Sequence, residues 1–210
     1  MKTAFIIRFH YEENDPRFAW RFQYFKESVL PRILAQTEQD FEIAIRCNPA
    51  HDQLFKDLSE KIRVFHVRGE YVAYKKEKYF YDFVEWDRVI DLPRYELQLG
   101  LDSDDLIEPN YLEWVRKTRR GMPDHETTHI CFQPQLLDVK TGEIHPIKQV
   151  YSSTKGSAFF AIYQPATVEP YVFAYQESHL TIGRHFTNKI VMPEGICFAS
   201  CHHLNESTHI

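Results

Sequence analysis

No run of this 210-residue chain stays apolar for long enough to cross a bilayer, which takes ~20 residues. The opening stretch from Met1 to Ile7 is too short, and meets Arg8 too soon, to act as a secretion signal. The expected location is therefore the cytoplasm. Glycine is scarce, with seven in all, and neither a Walker-type phosphate loop nor a kinase signature can be assembled. The polar loop His10 to Pro16 has no glycine, which tells against a nucleotidyltransferase loop after the first strand. Cys47, Cys131, Cys197 and Cys201 are scattered without a CxxC pair, so neither a zinc knuckle nor a disulfide framework is indicated. Reduced, mostly buried thiols are expected. Positive charge is not in excess either: a net charge of -5 and a pI near 6.1 give no overall attraction to nucleic acid.

The chain does have apolar content, 43% hydrophobic with 16 Phe, 12 Tyr and 3 Trp. That suffices for one globular domain with a substantial core. Phe5 to Phe9 reads as an opening buried strand whose carboxyl end leads into the His10 to Pro16 loop. Ligands of open α/β sheets gather at that end, so Arg8, His10 and Tyr11 are candidate contacts. Phe18, Phe22, Phe25, Val29, Ile33 and Leu34 form a helical stripe in which Pro31 is expected to end or kink the helix. A second strand at Phe41 to Ile45 runs into Arg46-Cys47-Asn48-Pro49, a short helix at Asp52 to Lys61 follows, and Ile62 to Val67 makes a third strand. Lys75, Lys76 and Lys78 among Tyr71, Tyr74 and Tyr79 make a basic, aromatic segment. A helix is expected from Tyr79 to Leu92, with Arg94 just before the central strand. This alternation predicts a largely parallel sheet with helices on its faces.

The central strand is Leu97 to Leu101, and it ends abruptly in Asp102-Ser103-Asp104-Asp105 before Glu108-Pro109 and a helix from Tyr111 to Thr118. Three clustered acids repel one another, so a cation, a helix N-terminus or solvent must take up the charge. Period-two alternation sends Asp102 and Asp104 to one side and Asp105 to the other. The first two therefore suit a hard divalent cation, Mg²⁺ or Mn²⁺, with coordination positions left for phosphates. Relieving the repulsion by Asp104→Ala is expected to leave the fold intact. Further on, Ile130 to Asp138 and Glu143 to Pro146 flank the turn Lys140-Thr141-Gly142 as a hairpin. Strands follow at Phe159 to Tyr163 and Ile196 to Ser200.

The Leu-Asp-Ser-Asp-Asp stretch with its Glu-Pro and helix resembles the DXD region of GT-A fold nucleotide-sugar glycosyltransferases. Gln36-Thr37-Glu38-Gln39-Asp40-Phe41-Glu42 and Cys201-His202-His203-Leu204-Asn205 are similar to one branch, the rhamnosyltransferases. The chain departs from that branch at Gly100, where the branch tends to carry arginine, and at His203, where it usually has glycine. The resemblance implies a GT-A type fold: a central, mostly parallel sheet flanked by helices, with antiparallel additions in the C-terminal half. It implies one domain over residues 1–210, with a nucleotide-sugar half (1–110) and an acceptor half (111–210). The donor implied is a UDP or dTDP sugar, rhamnose above others, and the acceptor a glycan or glycoprotein. Donor contacts are expected from Arg8, His10, Asn48, Arg94, Asp102, Ser103 and Asp104. Metal ligands are expected from Asp102 and Asp104 with His202 or His203, an imidazole favouring Mn²⁺. Asp105 or Glu177 is the candidate catalytic base. The chain stops soon after these histidines, so a longer protein is expected, and a capsid-glycan enzyme of an algal virus is a source the resemblance allows. Two rival readings stay open: a metal-stabilised glycan-binding module, and a Mg²⁺-dependent nucleotidyl- or phosphotransferase.

Overall fold

The computed structural model describes residues 1–9, 11, 13–67, 73–76, 79–82, 89–90, 92–146, 159–175 and 182–201. β1 (Thr3–Arg8), β2 (Glu42–Arg46), β3 (Ile62–Val67) and β7 (Leu97–Asp102) form its parallel heart, in the order β3-β2-β1-β7. Outside β3 lies β6 (Val89–Ile90), antiparallel to it. Beyond β7 the sheet continues with β11 (Phe160–Tyr163), β9 (Thr128–Asp138), β12 (Asn188–Cys201) and β8 (Leu106–Ile107). β11 runs antiparallel to both β7 and β9, whereas β12 runs parallel to β9. β10 (Ile144–Pro146) pairs with β9 as the expected hairpin, and the turn between them holds Gly142 at φ +76, a backbone conformation for which glycine has no steric cost.

The alternation along each parallel strand makes two cores. Phe5, Ile7, Ile43, Ile45, Leu99 and Leu101 point to the face covered by α1 (Pro16–Tyr24), α2 (Leu30–Leu34), α3 (Asp52–Lys56) and α4 (Tyr111–Arg120). Ala4, Ile6, Ala44 and Phe65 point the other way, against Val172 to Tyr175 and Ile182. Fully buried Gln98 pins that second cover, since its Nε2 donates to the Val172 carbonyl and its Oε1 accepts from the Ala174 N–H, both at 2.9 Å.

Three sequence expectations are corrected. Tyr79 to Leu92 is not one helix: β5 (Tyr79–Asp82) pairs antiparallel with β4 (Ala73–Lys76), and β6 joins the sheet. The Tyr-Phe-Tyr run prefers a pleated surface to a helix. Antiparallel strands are thus not confined to the C-terminal half. The last strand begins at Asn188, not Ile196, because register shifts between Met192 and Phe198 break its alternation around Pro193 and Gly195, residues that mark bulges in strands. Pro31 does not end its helix. A π-turn at Phe25–Val29, closed by Leu30 N–H to the Phe25 carbonyl, leads into α2 with Pro31 in its first turn, where a missing N–H costs least.

Candidate functional site

Because β1, β2 and β7 run parallel, their carboxyl ends share one edge of the sheet. The register sets Arg46 beside Arg8 and Arg8 beside Asp102, three side chains on the same face. Arg8 Nη2 reaches Asp102 Oδ1 at 3.4 Å, and the Arg8 guanidinium lies 4.3 Å from the centre of the Tyr175 ring, within cation–π range. Tyr175 stands there because Gln98 and Gln164 hold the backbone of the preceding residues. Burial pushes its hydroxyl pKa well up, and the charge of Asp102 adds to this.

The strand ends at Asp102 and the chain turns, with the Asp105 N–H donating to the Asp102 carbonyl at 3.2 Å. The alternation that would put Asp102 and Asp104 side by side therefore stops at the turn. Asp104 instead forms an ion pair with Arg21 of α1; their side chains are 12% and 8% exposed. Burial opposes the Arg21 charge, but Asp104, with Tyr11 and Asp102, outweighs it and the Arg21 pKa ends above its ordinary value. Arg21 thus sits within the field of both carboxylates. Asp105 is buried near Tyr175 and Cys197, and it adds to the rise that burial imposes on both of their pKa values. Cys47, Cys131 and Cys197 are buried as thiols, as expected from the sequence.

The acids do not cap the following helix. Asn110 is the N-cap of α4 and makes no side-chain cap bond. The Leu112 N–H is satisfied at 2.9 Å by Oε1 of Gln36, whose Nε2 donates to the Glu108 carbonyl at 2.8 Å. The Thr37 N–H donates to the Pro109 carbonyl, and Arg116 pairs with Glu38 and donates to the Asp40 carbonyl. The Gln36 to Asp40 stretch is therefore a clamp that holds the chain just after the acidic tip.

Of the residues singled out in the sequence, Arg8, Asp102, Ser103, Asp104 and Asp105 meet at this edge. Asn48 lies at the same edge, beyond β2, but its Oδ1 accepts from the Ala50 N–H at 3.0 Å in a local turn. Arg94 is not brought to this edge: it precedes β7, so the strand's length, about 20 Å, separates it from Asp102. There it pairs with Glu169, and its guanidinium lies 4.9 Å from the Tyr171 ring. His10, Glu177, His202 and His203 lie outside the described residues, as do Tyr71 and Lys78 of the basic, aromatic segment. Arg21 was missed. The signal for it was its place three after Phe18 and four before Phe25, a charge on the buried face of an amphipathic helix that demands a partner.

Among the described residues no three His, Cys, Asp or Glu side chains cluster as a metal site. The donor chemistry of Asp102 and Asp104 nevertheless fits a hard cation, because Mg²⁺ is commonly held by one or two carboxylates plus substrate phosphates. Their oxygens lie at the strand end where ligands of such sheets bind.

The family described as "Putative rhamnosyl transferase" matches residues 4–210. No protein with a curated description matches the chain. Among solved structures, S. aureus TarS 1-349 in complex with UDP-GlcNAc aligns over 100% of this chain and 60% of its own, at 16% identity and a TM-score of 0.59. S. aureus TarS 1-349 in complex with UDP aligns over 96% and 61%, at 14% identity and 0.55. Longer S. aureus TarS aligns over 96% and 37%, at 14% and 0.53. The chain thus spans about three fifths of TarS 1-349 and shares its GT-A type fold, a mostly parallel α/β sheet with antiparallel additions.

Proposed function

Since the chain belongs to the rhamnosyl transferase family, we propose that it is a nucleotide-sugar glycosyltransferase whose donor site is the edge formed by Arg8, Asp102, Asp104 and Arg21. The observation that carries this reading is the juxtaposition at the carboxyl ends of β1 and β7 of the Arg8 guanidinium, in register with Asp102 and 4.3 Å from the Tyr175 ring centre, and an acidic tip paired with Arg21. Arg8, beside the Tyr175 ring, offers a planar cation to a diphosphate. Asp102 and Asp104 are the residues that would hold Mn²⁺ or Mg²⁺, and His202 or His203 remains the proposed imidazole ligand. A bound divalent cation supplies charge neutralisation to the leaving diphosphate. In the transfer, the anomeric carbon–oxygen bond to the diphosphate breaks and an acceptor hydroxyl oxygen bonds to that carbon. Arg8 and Arg21 oppose the negative charge that grows on the departing oxygen, and the hydroxyl proton passes to a carboxylate, for which Asp105 and Glu177 are the candidates. The donor proposed is a UDP or dTDP sugar carrying rhamnose, and the acceptor a glycan or glycoprotein. TarS is the protein solved with UDP and UDP-GlcNAc, which supports a pyrimidine nucleotide here. No helix among the described residues is long and apolar enough to cross a membrane.

The test is a thermal-shift screen of UDP, dTDP and GDP with and without Mn²⁺. UDP or dTDP with Mn²⁺ should raise the melting temperature and GDP should do so less. Equal stabilisation by GDP and UDP would count against the pyrimidine donor, and no shift with any nucleotide would count against the site.

A further inference from the structure

Arg21 is a charge placed where the helix stripe calls for an apolar residue, among Phe18, Phe22 and Phe25 on the face of α1 that meets the sheet. A buried guanidinium survives folding only when its charge is matched. Here the match is Asp104, the second acid of the DXD stretch, with Asp102 close enough to act on the same cation. The guanidinium therefore occupies the field of the two carboxylates assigned above to a metal.

We propose that Arg21 is the resident counter-cation of the acidic tip, competing with a divalent metal for Asp104 until a nucleoside diphosphate arrives to receive the guanidinium. The proposal rests on the glycosyltransferase reading and adds a control to it. One carboxylate cannot satisfy a buried guanidinium and a divalent cation fully at once, because each cation raises the cost of bringing in the other. Without nucleotide, Arg21 offsets the charge of Asp104 and keeps metal affinity low. A diphosphate changes the balance, since it offers Arg21 several anionic oxygens and the metal further oxygen ligands. Metal and nucleotide are thereby loaded together, and the tip does not hold an idle ion. Arg21 thus acts on Asp104 while the site is empty and on the diphosphate once it is bound.

The experiment is calorimetric titration of Mn²⁺ into the parent, Arg21→Met, Arg21→Lys and the double variant Arg21→Met/Asp104→Asn, each with and without UDP. Removing one competing positive charge next to the site should tighten Mn²⁺ binding without UDP at least about tenfold in Arg21→Met. A merely structural arginine would leave the affinity unchanged or lower it. Arg21→Lys, which keeps the charge, should stay near the parent, and the double variant should lose the gain. With UDP present the difference should shrink, since Arg21 then contributes through the diphosphate. If Arg21→Met folds only once Mn²⁺ is added, that rescue is the same result read as stability. Mn²⁺ bound no tighter by Arg21→Met than by the parent would overturn the proposal, while UDP binding by both would leave the glycosyltransferase reading standing. Absence of UDP binding from every form would overturn that reading and this proposal with it.

Discussion

Replacing Asp104 with alanine removes one of three crowded carboxylates, and like-charge repulsion alone makes that change neutral or stabilising. The Arg21 pair reverses the sign. With side chains 8% and 12% exposed, the pair is close to the buried limit, where deleting one partner costs about 3–5 kcal/mol because the other charge stays in the interior. Relief of repulsion offsets only about 1 kcal/mol of this, since the Asp102 charge is already partly met by Arg8 at 3.4 Å and is screened by solvent at its exposed end. The net expectation is a loss of roughly 2–4 kcal/mol, or a melting temperature lower by about 4–16 °C for a chain of this size. Thermal and urea denaturation in chelator, with no metal or nucleotide present, measure it. In an Arg21→Met background the same Asp104→Ala change should be neutral or stabilising, so the double-mutant cycle reports the coupling directly. An Asp104→Ala protein as stable as the parent, with no coupling to Arg21, would refute the reasoning.

Gly100 is wedged against Phe160: a Cβ built on it would lie 2.4 Å from the ring, so Gly100→Ala should cost about 1–3 kcal/mol by overpacking, checked by urea unfolding, and trimming the ring with Phe160→Leu should recover part of the loss. His129 is fully buried, with neither ring nitrogen hydrogen-bonded among the described residues, and burial followed by the charge of Lys189 lowers its pKa from 6.5 to about 4. Its neutral form is the folded one, so the unfolded chain binds the extra proton and stability should fall as pH drops from 6.5 towards 4 by roughly 3 kcal/mol; His129→Leu should flatten that part of the stability–pH curve, and an unchanged curve would contradict the burial argument.

The parallel heart was legible because Phe5 to Phe9, Ile43 to Ile45, Ile62 to Val67 and Leu97 to Leu101 are short apolar runs separated by one amphipathic pattern or breaker each. The edges were not, since β5 and β6 are held by pairing with neighbours that a local pattern does not contain. At the site, the acids and Arg8 could be read from their place at strand ends. Arg21 and Tyr175 could not be placed, because each reaches the tip from an element whose approach is set by packing: α1 through its phenylalanines, and Tyr175 through buried Gln98 and Gln164. Gly100 shows the converse, a family departure whose reason, the Phe160 ring, lies sixty residues away in sequence and directly opposite on β11. The Gln36 to Asp40 stretch was legible as a family mark but not as a clamp, since its partners at Glu108, Pro109 and Leu112 become neighbours only once the sheet has formed.

The claim on which the rest depends is that the carboxyl edge of β1 and β7 holds the nucleotide, and a crystal structure of the protein grown with UDP and Mn²⁺ tests it most directly. The expected density places the diphosphate within hydrogen-bonding reach of Arg8, the metal on Asp102 or Asp104, and the Arg21 guanidinium turned from Asp104 towards phosphate. UDP bound at the opposite edge, in the cavity of about 320 Å³ between Arg116, Arg119 and Tyr163, with the Arg21–Asp104 pair intact and no metal on the tip, would contradict it.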